Sequence, residues 1–338
     1  MSGRPGPPTV LVLRALGLGD LLTAVPALRA LRRHWPEHRL VLAAPGRLAA
    51  AAAATGCVDR LLATTAERRA VPARLVWHAA PPDIAVDLHG NGPPSHQLLR
   101  TVRPGRLLGY ARSGTPPLAG PLWRADEHER ERWCRLLHWY GIEADPGDLR
   151  IRPPERPSPA PGAVLLHPGA DAGARRWPAE RFAALARALR AQGRRVVVSA
   201  GAGERALAER VAGAAALPPG SVVGGTADLP FPELAALVAR AAAVVSGDTG
   251  LAHLAVALGT PSVTLFGPVS PALWGPPAAE RHVALWHGEP GAGPRPGDAH
   301  GTEPDARLLR IGVPEVVEAL HLLTAAGDPP REEAGRCR

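Results

Sequence analysis

In the stretch VVSGDTGLAHLAV, Val244 to Val256, a β-rich run empties into Gly247-Asp248-Thr249-Gly250 and restarts as an apolar helix with His253 near its mouth. Glycine lets a backbone approach a ligand closely, and the unpaired N–H groups of a helix start attract phosphate. Other expected strand ends read alike: HPGADAGARRWP from His167, SAGAGE from Ser199, VGGT from Val223 and LFGP from Leu265. One glycine after one strand is ordinary turn chemistry. Five such corners on one rim, with hydroxyls and charges among them, describe a nucleotide or diphosphate cleft.

A further corner, GLGD at Gly17–Asp20, follows the first expected strand. Asp20 stands where the first helix begins, so its carboxylate is expected to cap free N–H groups there. An aspartate at the carboxyl end of a strand is also where a general base stands. Pro26 either kinks that helix or confines it to a later start. No corner has the spacing of GxGxxG, GxxxxGK[ST] or HExxH, so neither a dinucleotide fingerprint nor a bound metal is implied.

These corners need elements to hold them. Strands are expected at Val10–Leu13, Leu40–Ala43, Ile84–Leu88 and Leu107–Tyr110, then at Val164–His167, Arg195–Ser199, Ser221–Val223, Ala243–Ser246 and Ser262–Phe266. Helical patterns alternate with them, among them Glu180–Ala191 and a closing helix at Leu308–Leu323. Alternation of this kind argues for βαβ units and parallel sheets, hence an α/β fold. The proline-dense segment at 153–161 reads as a stiff linker. It divides residues 1–152 from residues 162–325, and a flexible tail is expected at 326–338. The Gly/Pro-rich stretch His287 to Asp305 reads as a surface loop.

Composition narrows the function. The 338 residues suit two domains. All 39 basic residues are arginine, giving a net charge of +8, but they are scattered, and two tyrosines and three phenylalanines supply little for base stacking. A nucleic-acid groove wants both a basic stripe and aromatics. The basic surface suits a phosphorylated substrate or peripheral contact with an anionic inner membrane face. No apolar run is long enough to span a bilayer, and the first apolar run is read as a strand rather than a leader. Three cysteines without metal spacing fit a reducing compartment, so a cytoplasmic location is expected.

The motifs LGDLLTAVPALRAL, DIAVDLHGN, LLHPGADAGARRWPAERFAALA and VVSGDTGLAHLAVALGTPSVTLFGPVSPALWGP, in that order, resemble glycosyltransferase family 9, the heptosyltransferases of lipopolysaccharide inner-core assembly. The resemblance implies a GT-B fold, two Rossmann-like domains facing each other across a cleft, with the acceptor on the first and the nucleotide sugar on the second. It implies inverting, metal-independent transfer from an ADP-linked donor, typically ADP-heptose in that family, with no cofactor; a monomer is expected. Carried over by motif position, Asp20 would be the general base. Arg175 would offset charge on the departing diphosphate, with Arg176 the competing residue. The N–H groups of Thr249, Gly250 and Leu251 would hold the diphosphate, and Asp248 would either fix that loop by accepting N–H bonds or face the sugar. Glu204 would meet the ribose, and His167, Gly169 and Ala170 would line the same rim. His253 either donates to a phosphate or is a packed helix residue. Gly19, Asp87 and His89 are candidates for the acceptor, the last two also reading as ordinary turn residues.

The resemblance leaves the acceptor open: a cell-envelope glycan, a lipid-linked sugar or a small molecule. Two other readings stand beside it. One is a secondary-metabolite transferase using another nucleotide sugar; the other is a catalytically silent nucleotide-sugar-binding protein.

Overall fold

The structure is a computed structural model and describes residues 7–65, 69–112, 117–279, 281–289 and 291–325. The expected tail at 326–338 lies outside the described residues. Eleven strands are present among them: β1 (Thr9–Leu13), β2 (Arg39–Pro45), β3 (Arg60–Thr64), β4 (Ile84–Asp87), β5 (Arg106–Leu108), β6 (Val164–His167), β7 (Val196–Ala200), β8 (Val222–Gly224), β9 (Ala243–Gly247), β10 (Ser262–Leu265) and β11 (His282–Leu285). The helices are α1 (Leu18–Thr23), α2 (Val25–His34), α3 (Ala49–Ala54), α4 (Pro94–Arg100), α5 (Glu129–Trp139), α6 (Ala179–Ala191), α7 (Arg205–Ala214), α8 (Phe231–Ala239), α9 (Gly250–Leu258), α10 (Pro271–Trp274), α11 (Ala306–Arg310) and α12 (Val313–Ala325).

The chain forms two compact units, divided between Arg156 and Pro157 inside the proline-dense stretch. Segments Pro230–Ala236 and Ala272–Trp274 group with the first unit, so the division is not a single cut. The first sheet has the order β3-β2-β1-β4-β5 and the second β11-β10-β9-β6-β7-β8. Every pairing within both is parallel. Central strands such as β1 and β9 are apolar on both faces, as parallel strands covered by helices must be. Along β1 the side chains alternate: Val10 and Val12 enter one core layer, Leu11 and Leu13 the other. A separate core, built around Val164, Leu166, Val245 and Val263, fills the second unit.

Each sheet reverses its strand order once, between β1 and β4 in the first and between β6 and β9 in the second. Ligands of open α/β sheets bind at such switch points, beyond the carboxyl ends of the strands. The segments carrying Asp20 and His89 leave the first switch point, and those carrying His167 and Asp248 leave the second. Register aligns the tips: Leu13 pairs with Asp87, and His167 with Ser246.

The strands read from sequence agree within one or two residues, but β3 and β11 were not anticipated. The expected closing helix is two helices, α11 and α12, interrupted at Ile311 and Gly312, with Pro314 in the first turn of α12. Pro26 confines α2 to a later start, placing a break after α1. Trp177 is core: it is buried, packs edge-on against Phe182 and donates to the Ile311 carbonyl. No helix among the described residues is long and apolar enough to cross a membrane.

Candidate functional site

In the first unit, α1 begins at Leu18 with Gly17 as its capping residue. Asp20 is therefore not the cap that was expected; it lies in the first turn and reaches back, its Oδ2 accepting the Gly17 N–H at 3.1 Å. Its carboxylate is buried, with Arg69 donating to both oxygens at 3.1 and 2.8 Å. The buried Arg14 guanidinium is 3.7 Å from Oδ1. Burial alone would push this carboxyl up; Arg14, Arg69 and the Gly17 N–H outweigh it and hold it below the usual value.

Arg14 ties the surrounding segments together. It donates to the carbonyls of Asp20 and Leu88, and to Glu129 Oε1 at 2.9 Å, and it stacks over Trp133. It thus fixes the exits of β1 and β4 against α5. His89 Nδ1 accepts the Ala15 N–H at 3.2 Å, which places the proton of the neutral ring on Nε2. Burial, then Arg14, push this histidine down to about 4.

Asp87, weighed above as an acceptor contact, is inside the protein, with no exposed surface. It accepts Ser95 Oγ at 2.5 Å and the N–H groups of His89 and Gly90. Its lone pairs serve the turn, so this residue shapes the loop that presents His89. Burial pushes its carboxyl up to about 6. Gly19 sits within the first turn of α1, beside Asp20.

In the second unit, Thr249 caps α9 in an extended conformation, and its own side chain makes no capping bond. The first-turn N–H groups of Gly250 and Leu251 therefore face outward without helical partners. Arg175 ends a short turn, Gly173–Arg175, pressed against the tip of β9: a Cβ on Gly247 would fall 2.6 Å from the Arg175 carbonyl oxygen. Arg175 donates to the Asp248 carbonyl at 3.1 Å and lies 3.8 Å from Asp171. Its Nε is buried without a hydrogen-bond partner, as are Thr249 Oγ1 and Ser246 Oγ. Three orphaned polar atoms on contiguous segments mark a place built for a polar ligand.

Arg176 is placed differently. Its Nε and one terminal nitrogen both donate to the Ala170 carbonyl, at 2.9 and 2.7 Å, so it fastens the loop after β6. Asp248 also departs from expectation. Its carboxylate lies 3.7 Å from His253 Nε2 rather than on backbone N–H groups, and its carbonyl holds Arg175.

Glu204 precedes α7 and accepts the Gly201 N–H at 2.8 Å. A Cβ on Gly169 would meet this carboxylate at 2.0 Å, so the glycine makes room for it. His167 Nδ1 lies 3.2 Å from the Ser199 carbonyl oxygen. The Ser199 hydroxyl lies closer still, 3.1 Å from the same nitrogen, so Ser199 holds this ring edge through both its oxygens. Burial pushes His167 down, against the pull of Glu204, and keeps it neutral.

The irregular stretch after His287 is more than a surface loop. Ala174 donates to the Gly301 carbonyl, Asp305 donates back to the Ala174 carbonyl, and a Cβ on Gly173 would overlap the Thr302 oxygen. This stretch braces the arginine turn. Arg69, Arg14 and this brace were not singled out from sequence. The one available signal was Arg14 itself, a charge directly after a buried strand.

Residues 144–295 match the family described as glycosyltransferase family 9 (heptosyltransferase). That span contains every donor-side residue above, His167 to His253, and excludes Asp20, Asp87 and His89. Lipopolysaccharide heptosyltransferase 1 of Pseudomonas aeruginosa is 32% identical over 57% of this chain and 56% of its own length. The chain aligns with about a third to just over half of the length of the curated relatives it matches. Two solved structures cover it more fully. The Escherichia coli ADP-heptose heptosyltransferase II superposes with a TM-score of 0.71 at 20% identity, over 95% of this chain and 100% of that one. An E. coli heptosyltransferase with ADP-2-deoxy-2-fluoro heptose gives 0.67 at 19%, over 93% and 99%. The two-sheet GT-B fold is shared.

Proposed function

We propose that this chain, whose residues 144–295 match glycosyltransferase family 9 (heptosyltransferase), belongs to that family and transfers a heptose from an ADP-linked donor to a hydroxyl of a cell-envelope glycan, with inversion and without a metal. The observation that carries the donor side is the trio of orphaned polar atoms, Arg175 Nε, Thr249 Oγ1 and Ser246 Oγ, beside the mouth of α9. A diphosphate would satisfy donors of this kind, and α9 is oriented to favour its charge. ADP-heptose is chosen because a protein of this fold is solved with ADP-2-deoxy-2-fluoro heptose.

In this reading Asp20 accepts the proton of the acceptor hydroxyl as its oxygen attacks the anomeric carbon from the face opposite the diphosphate. The glycosidic bond forms, the carbon–oxygen bond to the diphosphate breaks, and ADP leaves with the electron pair. Arg175 and the α9 N–H groups stabilise the charge that develops on the leaving group, the role a divalent cation fills elsewhere. Glu204 accepts from the ribose hydroxyls, giving up part of its hold on Gly201. Arg176 positions the loop rather than the phosphate. His89, a neutral Nε2–H donor, orients the acceptor, and His253 holds Asp248. The protein acts as a monomer on the cytoplasmic side, its basic surface allowing peripheral contact with the inner membrane face.

Calorimetric titration of ADP, UDP and GDP into metal-free protein tests the donor side. Preferential binding of ADP supports the reading. A preference for UDP or GDP would move the protein to another nucleotide sugar, and no binding at all would leave the family fold without the activity.

A further inference from the structure

A single nitrogen of the buried Arg14 lies between two carboxylates. Its Nη2 is 2.9 Å from Glu129 Oε1 and 3.7 Å from Asp20 Oδ1, and the side chains of Arg14, Glu129 and Asp20 are 0%, 8% and 5% exposed. The guanidinium is fixed in that place, because its Nε and Nη1 donate to the Asp20 and Leu88 carbonyls. Glu129 is held as firmly. Its Oε1 also accepts the Trp133 indole N–H at 3.0 Å, and its Oε2 accepts from the buried Arg132. Inside the first unit the result is a row of alternating charge: Asp20, Arg14, Glu129, Arg132.

We propose that Glu129 is a positioning residue for proton transfer at Asp20: as the nearest counter-ion of Arg14, it offsets that guanidinium's charge over both Asp20 and His89. The proposal rests on reading Asp20 as the general base, which Glu129 does not touch. Arg69 already donates to both Asp20 oxygens. One arginine contact lowers an aspartate by about 1–3 pH units, and a base loses rate as it loses basicity. A second guanidinium at full strength would leave the carboxylate too acidic to take a hydroxyl's proton. Burial makes the offset matter, since water screens little between groups so enclosed. Glu129 thus lets Arg14 tie the exits of β1 and β4 together without spending its whole charge on the base.

The charged and titratable groups around this point are Arg14 after β1, Asp20 on α1, Arg69 after β3, Asp87 and His89 at the end of β4, and Glu129 and Arg132 on α5. His89 reports on them: burial and then Arg14 hold it down at about 4, while Asp20 pulls it up. The test follows His89 by nitrogen NMR in histidine-labelled protein, its signal assigned by its loss in His89→Gln. In Glu129→Gln the His89 midpoint should fall by about half a pH unit or more, because Arg14 is no longer offset. In Glu129→Asp, which keeps the charge one methylene further away, it should fall by less. The Asp20 carboxyl, followed by carbon NMR, should stay ionised to lower pH in both variants. A role in packing alone predicts the opposite sign, since loosening returns His89 toward about 6.5 and Asp20 toward about 3.9. An unmoved or raised midpoint at His89, or a fall there without one at Asp20, would overturn the proposal. If loss of the buried charge prevents Glu129→Gln from folding, Glu129→Asp decides by the same sign. No sugar nucleotide enters these titrations, so they are separate from the test of Asp20 as base, which is the turnover of Asp20→Asn.

Discussion

At the scale of single residues, the two carboxylates near the first switch point have opposite environments and should behave oppositely. Asp20 is held ionised by arginines, so transfer should persist on the acid side of the usual carboxylate range and fall only when Asp20 protonates. Replacing it by asparagine should lower turnover by about 10²–10⁴-fold while leaving ADP affinity, measured by calorimetry, unchanged. Arg175→Ala should weaken both, with turnover down by about 10²-fold, whereas Arg176→Ala should mainly lower thermal stability. Asp87 carries the reverse sign. Its folded carboxyl is pushed up to about 6, so the folded state binds the proton more tightly than the unfolded chain. Its contribution to stability is then present at low pH and lost as pH rises through about 4 to 6. His89 and His96, both pushed down to about 4 by burial, work against this, since the unfolded chain takes up their protons first. Asp87→Asn removes one side of that balance. Its stability relative to wild type, followed by urea unfolding, should therefore improve between pH 4 and pH 7 by an amount on the order of 2 kcal/mol.

At the scale of elements, glycines decide how closely the loops of the donor rim approach one another. A Cβ on Gly169 would meet only the end of the Glu204 side chain, which can swing aside. A Cβ on Gly247 would meet the Arg175 carbonyl at 2.6 Å, which is backbone and cannot. Gly169→Ala should thus weaken nucleotide binding with little change in melting temperature. Gly247→Ala should cost about 1–3 kcal/mol of stability as well as donor affinity, and parallel melting and calorimetry separate the two cases. The same scale shows what was legible in advance. Glycine corners after buried strands are local signals, legible from the order of residues alone. The strands missed, β3 and β11, are edges of their sheets, half-exposed and short of the continuous apolar run that marks a central strand. The closing helix was read straight through Gly312 and Pro314 because the apolar spacing continues on both sides of the break. The Arg69–Asp20 pair spans 49 residues, and no local pattern encodes a contact of that separation.

At the scale of the molecule, each unit has its own sheet and core, and the donor-side residues all belong to the second. Calorimetric unfolding should show the transition of that unit moving upward with ADP, by roughly 2.7 kcal/mol at a hundredfold excess over Kd, and Asp20→Asn should leave this shift intact. Loss of the ADP effect in that variant would argue against the division of roles. The arginine-only basic surface should also make ADP binding fall as salt is raised, because the charges that attract a diphosphate are screened within about 10 Å at 0.1 M. One feature bears on how such enzymes could be recombined. The chain returns to its first unit at Pro230–Ala236 and Ala272–Trp274 after the proline stretch, and Phe231 packs against the first core. A chimera joined at residues 156 and 157 alone would graft a foreign first unit onto the wrong returning segments, so exchange of that unit between relatives requires three pieces to travel together.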